Sequence, residues 1–381
     1  MYDIHTHEKE QCTTFFEILQ NCKELDLRDN RGKRHDLAFV LLSLLISLLR
    51  KRDGKLSSIY RSMKNKNSEL CSYLGLEVFP IVSRSHLPIL LSKVNVPIFE
   101  DLLFSHYGIK LNEAEKEWFA GDGKDLRGSI ESGNKRGESL VQVVDHKVRD
   151  VFCQQTYNGR KESEKICLRS LLKEKNLLNQ KLTMDALHLC PLTTKPIEKA
   201  GGVFLIGIKN NQEELLEDLS HSTTYLPIVK QNRTVDKGHG RVEVRTYFQY
   251  DISQEYFDPR WADSNFQTLV KVERTRFCTK TEKESKETAY YISNGSKEED
   301  YSQAIRQHWS VEVNNHVRDV TLQEDKLKTK KKPVTKIMAG LRTIAIKLLN
   351  FEKPKNMIEQ LELFQDDFQV LMTSLKNFRF L

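Results

Sequence analysis

The chain has 381 residues, 39% of them hydrophobic and 30% charged, which is room for two or three domains and excludes a disordered or fibrous protein. A net charge of +7 is modest, so where the basic residues cluster matters more than their sum. The longest apolar run, Leu37 to Leu49, is too short to span a bilayer, and seven scattered cysteines with no CxxC pair indicate neither a disulfide framework nor a zinc ribbon.

A start of Met1-Tyr2-Asp3-Ile4-His5 is no signal peptide, and the cysteine usage fits a reducing, cytoplasmic setting. His5, His7, Cys12 and Cys22 match no standard zinc spacing. Basic clusters at Arg50-Lys51-Arg52, across 230–245 and from Lys326 to Lys332 favour a polyanion such as nucleic acid.

Residues 1–110 read as a helical N-terminal domain. Phe15, Phe16 and Leu19 mark a short amphipathic helix, and Leu37–Leu49 a buried one. Segments near 55–74 and 84–94, separated by Gly75 and Pro80, permit a helix-turn-helix reader of DNA ends. From 111 the pattern turns to strands. Trp118–Asp122, Leu140–Val144 and Val148–Gln155 predict a three-strand meander, followed by a helix near 162–175. A strand over 181–184 ends at Asp185, a helix near 191–199 follows, and Val203–Ile208 reads as a strand buried on both faces.

The order β-β-β-α-β-α-β is that of a ribonuclease H-like α/β core, a mixed sheet flanked by helices. Its first part spans 111–230. Between 231 and 299 Val242, Val244, Phe248 and Tyr250 alternate with polar residues, predicting an inserted antiparallel β-domain with neighbours at Phe266–Arg274 and Thr288–Ser293. Residues 300–350 complete the core with helices at 302–320 and 334–350, and 351–381 form a helical tail.

Asp122 and Asp185 fall at the ends of the first and fourth predicted strands, which are neighbours in such a sheet. Adjacent carboxylates repel unless a cation shares them, so a divalent metal is the expected companion. Glu312 is the leading third acid. It lies on a helix with a predicted buried stripe of Ile305, Trp309, Val313 and Val320, and with His308 and His316 one turn to either side. Glu324 remains an alternative third acid.

Asp122-Gly123-Lys124-Asp125-Leu126-Arg127-Gly128-Ser129 resembles the D-G-K-x-L-R-G-S motif of bacterial insertion-sequence transposases, in the family that includes the H-repeat-associated proteins. Thr183-Met184-Asp185-Ala186 is similar to that family's T-x-D-A, and Lys209-Asn210-Asn211-Gln212 to its K-x-N-Q. Gly238 to Tyr247 resembles G-H-G-R-x-E-x-R-T-Y, and His308-Trp309-Ser310-Val311-Glu312 the H-W-x-x-E block. The blocks run in order over about 122–325. Asp125, Asn210 and Gly121 depart from the pattern without removing an acid.

The resemblance implies a DDE transposase that cuts element ends and joins them to target DNA. Asp122, Asp185 and Glu312 would hold two Mg²⁺ ions, with Mn²⁺ able to substitute, about 3.5–4 Å apart. Lys124, Arg127, Lys209, Asn211, Gln212, His239, Arg241, Arg245, His308, Trp309 and His316 are the expected DNA contacts. The implied partners are the element's terminal repeats, target DNA and a second copy in a synaptic dimer, with no membrane. A catalytically silent DNA-end-binding remnant and a nuclease without strand transfer are the alternatives.

Overall fold

The computed structural model describes residues 13–50, 53–111, 115–159, 161–238 and 240–381. The expected contacts or ligands His5, His7, Cys12, Lys51, Arg52 and His239 lie outside them. Five helices open the chain: α1 Phe15–Asn21, α2 Leu37–Arg50, α3 Leu56–Tyr73, α4 Leu87–Leu91 and α5 Val96–His106. Strands β1 Trp118–Asp125, β2 Glu138–Asp145 and β3 Val151–Asn158 follow, then α6 Lys161–Glu174, β4 Lys181–Met184, α7 Pro191–Lys199, β5 Val203–Ile208 and α8 Glu213–Ser222. Four long strands come next: β6 Ile228–Gly238, β7 Arg241–Asp251, β8 Thr268–Cys278 and β9 Lys283–Ser293. The chain closes with α9 Ser302–Gln307, α10 Trp309–His316, α11 Lys332–Glu352, α12 Met357–Asp366 and α13 Phe368–Asn377.

These elements form two compact units. One holds the described residues up to Gly108 together with Leu126–Glu138 and His316–Leu381; the other holds Ile109–Asp125 and Ser139–Asn315. The expected boundaries at 110, 230, 300 and 350 therefore do not mark the division. The C-terminal segment belongs with the N-terminal helices because it pairs with them: the Phe15 and Phe16 N–H groups donate to the Arg379 and Phe380 carbonyls, each at 2.9 Å.

The helical unit is built around α2, every residue of which is buried, with α11 contributing Ile337, Leu341, Ile344 and Leu348 to the same core. None of the described helices is long and apolar enough to cross a membrane. The expected helix at 84–94 is only the five residues of α4, with Leu87, Leu90 and Leu91 buried, and it is too short to serve as a groove-reading helix.

The second unit is a nine-stranded sheet in the order β3-β2-β1-β4-β5-β9-β8-β7-β6. β1 is antiparallel to β2 and parallel to β4, β4 is parallel to β5, and from β5 onward every pairing is antiparallel. The β-rich insertion is thus no separate layer. β9 runs beside β5 from Leu205↔Ser293 to Ile208↔Tyr290, satisfying an edge that β5 would otherwise leave unpaired. β7 also departs from a simple one-sided strand. Glu243, Tyr247 and Gln249 are buried, while Val242, Val244 and Phe248 are only half-buried.

The predicted helix over 302–320 is broken. α9 ends at Gln307, α10 begins at Trp309, and a π-helical turn covers Val317–Thr321. The break shifts the helical phase, so the expected buried stripe is wrong. Trp309, Val313 and Val320 are 60%, 45% and 47% exposed, and the inward residues are Ser310, Val311 and Asn314.

Candidate active site

β1 carries Asp122 past the point where the strand was expected to end. Its parallel partner stops first: Ala120 pairs with Thr183 and Gly121 with Met184, which leaves Asp122 and Asp185 one step beyond the last paired residues. β1 continues to Asp125 because β2 still supports it, through Asp122↔Gln142 to Asp125↔Ser139. Gly121, an unlikely residue for a strand interior on propensity alone, answers to packing. A Cβ there would meet Leu168 Cδ1 at 3.0 Å, so the glycine lets α6 lie close on the strand.

The acids feel one another. Burial first, and then the charge of Asp185 with those of Glu164 and Glu312, push the half-buried Asp122 carboxyl up to about 7 against a hydrogen bond from the Gly123 N–H. Asn315 Nδ2 donates to Asp122 Oδ2 at 3.3 Å. Asp185 caps the short turn Ala186–His188, its Oδ1 accepting the Leu187 N–H at 3.0 Å. The exposed Glu312 is raised by burial of its carboxyl and by Asp185, and lowered by Lys209. Asp122, Asp185 and Glu312 therefore share one electrostatic neighbourhood.

His308 turns inward. Its Nδ1 lies 3.0 Å from Thr183 Oγ1, and His146 Nε2 lies 2.9 Å from the same oxygen, which itself donates to the Phe119 carbonyl at 3.3 Å. With the hydroxyl proton committed, both rings donate to it. Burial holds His308 down at about 4 and His146 at about 3, so both are neutral imidazoles at neutral pH. Thr183 thus ties the residue two before Asp185 to the start of the Glu312 helix.

Residues 113–348 match the family described as "Transposase DDE domain". The chain belongs to the DDE transposase family. YbfL of Escherichia coli (strain K12) and YhhI of the same strain, described as an H repeat-associated candidate transposase, are each 28% identical over 250 residues, covering 63% of this chain and 65% of theirs. YncI of Escherichia coli O157:H7, a candidate transposase, is 26% identical over 245 residues, covering 61% of this chain and 62% of its own. The chain thus spans slightly under two-thirds of the length of these curated relatives. A cryo-EM structure of a piggyBac transposase synaptic complex with hairpin DNA aligns with 92% of this chain and 78% of its own at TM-score 0.47 and 12% identity.

The remaining residues that the sequence marked in this transposase divide by placement. Lys124 is buried at 8% exposure, with Nζ 3.3 Å from the Asp125 carbonyl it donates to. Asn211 Nδ2 donates to the Ala186 carbonyl at 2.7 Å and Gln212 Nε2 to that of Leu189 at 3.0 Å, so both amides brace the loop after Asp185. Arg245 pairs with Glu243 and, at 3.0 Å, with Asp236, and Arg306 joins Asp236 at 2.8 Å. Arg127, Lys209, Arg241, Trp309 and His316 are exposed.

Glu324 is held elsewhere. In the helical unit it is 4% exposed, with Oε1 2.9 Å from Arg318 Nη1 and 4.0 Å from Arg342 Nη1, both arginines being fully buried. The turn bearing Arg127 is fixed in the same unit: a Cβ on Gly128 would lie 2.1 Å from the Leu327 carbonyl oxygen. Gly128→Ala is expected to cost about 2–4 kcal/mol in urea unfolding, because backbone rather than a side-chain tip must move. A loss below about 0.5 kcal/mol would show that the Leu327 segment yields freely.

Glu164 was missed. It reaches the site from α6, one helical turn before Leu168, and packs on Gly123 as Leu168 packs on Gly121. Two glycines alternating in a strand, opposite residues spaced i and i+4 on the next helix, are the signal that would have found it.

Proposed function

We propose that this chain is the transposase of a bacterial insertion sequence, cutting the element's ends and joining them to target DNA at Asp122, Asp185 and Glu312. The observation that carries the reading is the pairing of β1 with β4, which sets Asp122 and Asp185 side by side within the field of Glu312. The strand order β3-β2-β1-β4-β5 supports a ribonuclease H-like core for it.

The donor chemistry fits a hard divalent cation such as Mg²⁺ or Mn²⁺. The ligands offered are carboxylate oxygens, and their mutual repulsion, already expressed in Asp122, is relieved by positive charge. Among the described residues no group of three His, Cys, Asp or Glu side chains is arranged to hold a metal ion, so loading would draw the acids inward. When bound, a pair of such ions would lower the cost of charge on the attacking and departing oxygens of a phosphodiester.

The chain's own residues do the rest. Asn315 and the Gly123 N–H orient Asp122, the Leu187 N–H orients Asp185, and Lys209 keeps Glu312 in its charged form. Water attacks phosphorus in cleavage; the freed 3′-hydroxyl attacks target DNA in joining. One site serves both steps because only the nucleophile changes.

Arg127 and His316 offer exposed positive or polar groups to phosphates, and Trp309 an exposed ring for a base. Arg127→Ala is expected to weaken DNA binding by several-fold and to lower the slope of log affinity against log salt by about one, as loss of one phosphate contact requires. An unchanged slope in a fluorescence-anisotropy titration would remove Arg127 from the interface.

Purified protein, Mg²⁺ and a labelled duplex carrying the inverted repeat that flanks the gene test the function. Joined products support it. Binding without cleavage indicates a silent remnant, and hydrolysis alone a nuclease. A second copy in the synaptic complex follows from the same reading and is tested by the mass of the protein–DNA complex.

A further inference from the structure

We infer that Glu164 is a fourth carboxylate of this site, held in place by Tyr157 and His188, and that a divalent cation bound at Asp122 and Asp185 draws on it too. The inference rests on the acidic site proposed above and adds to it a residue that no sequence motif marks.

Three contacts define the position. Tyr157 Oη donates to Glu164 Oε2 at 2.9 Å. His188 Nε2 stands 3.5 Å from Glu164 Oε1 and 3.9 Å from Asp185 Oδ1. The carboxyl group also lies against Gly123: a Cβ there would fall 2.4 Å from Glu164 Cδ and 2.6 and 2.7 Å from its oxygens. Any side chain at 123 would displace the carboxylate from beside Asp122.

His188 is the independent observation. Its ring is fully buried, yet neither nitrogen has a hydrogen-bond partner, an arrangement that normally costs free energy. Nε2 is aimed between two carboxylates and misses both by a few tenths of an ångström or more. A cation that pulled Glu164 and Asp185 toward Asp122 would change those distances, and a ring N–H placed there can then orient whichever carboxylate arrives. Carboxylate–histidine pairs of this kind set the direction of metal-binding oxygens.

A carboxylate with only 13% of its side chain exposed, fixed by a tyrosine hydroxyl and facing two other acids, has no cationic partner within 4 Å except that histidine. The surplus of negative charge is what a divalent cation would neutralise. The tyrosine also limits which oxygen is free: Oε2 is engaged, so Oε1, the oxygen facing His188, is the one presented to a cation.

Mn²⁺ binding to the full chain without DNA, read by electron paramagnetic resonance of the free ion, tests this beside thermal unfolding in EDTA. Glu164→Gln is expected to weaken Mn²⁺ binding about tenfold while melting no lower than the parent chain. Asp122→Asn serves as the reference and should weaken binding at least as much. If Asp122→Asn weakens binding and Glu164→Gln does not, the fourth-carboxylate inference fails and the proposed site stands. If neither changes the affinity, both fail. Should Glu164→Gln not fold, Glu164→Asp, which keeps the charge but withdraws it by one methylene, must bind Mn²⁺ more weakly; an unchanged affinity overturns the inference.

Discussion

Asp122→Asn should melt higher than the parent chain at pH 8 in EDTA and should gain far less from added Mn²⁺. The Asp122 carboxyl is pushed from 3.8 up to about 7, chiefly by burial and by Asp185. Between those values the folded state holds a proton that the unfolded chain has released. Stability from this group is therefore greatest below about pH 4, falls as pH rises toward 7, and stays reduced above it. The full shift corresponds to about 4 kcal/mol, which relaxation and water entry at a half-buried position reduce to about 1–2 kcal/mol. The amide removes the cost at pH 8, raising Tm by about 2–4 °C, and the gap should close toward pH 4. Mn²⁺ stabilises the parent by binding only the folded state, and the variant has lost a ligand for it. A variant that melts lower at pH 8 would mean that Asp122 is engaged by something other than its acidic neighbours.

Glu324→Ala should be the most destabilising single change in the helical unit, at about 3–5 kcal/mol. Arg318 and Arg342 are fully buried, and Glu324 is the carboxylate set against both. Arg318 also donates to the Ala339 carbonyl at 3.2 Å and to Thr343 Oγ1, and Arg342 to the Met338 carbonyl at 3.3 Å, so neither guanidinium can swing out to water cheaply. Removing the acid leaves two buried cations facing each other. Circular dichroism in urea measures the loss. Glu312→Gln provides the contrast: its side chain is exposed, so stability should hold while cleavage disappears. If instead Glu324→Ala kept its stability and lost cleavage, Glu324 would be the third acid.

Asp185 and the strand before it were legible in the sequence because Lys181–Met184 is a short buried run closed by a capping acid. The full length of β1 was not. Gly121 argues against a strand on propensity, and the reason for it, Leu168 of α6, is a long-range contact that no local window contains. The phase of α10 was misread for a similar reason. An unbroken helix from 302 would bury Trp309 and Val313, but the interruption at His308, where the ring reaches Thr183, turns them outward.

The join of β5 to β9 was invisible because it pairs Ile208 with Tyr290, far apart in the chain. β6 was overlooked for want of an apolar face: Lys230, Asn232, Arg233, Asp236 and Lys237 give it no inward side, and its pairing with β7 makes it a strand. α8 was missable only by oversight. Glu213 and Glu214 in its first turn, with Leu215 and Leu219 one turn apart, are an ordinary amphipathic signal.

The central claim is that Asp122, Asp185 and Glu312 act as one site on DNA. Its most direct test places Asp122→Ala, Asp185→Ala and Glu312→Ala, one at a time, in the joining reaction on the flanking inverted repeat with Mg²⁺. Each variant should still bind the repeat and yield no joined product, with cleavage reduced by at least about 10³-fold. Cleavage that survives in any one of the three would contradict the account.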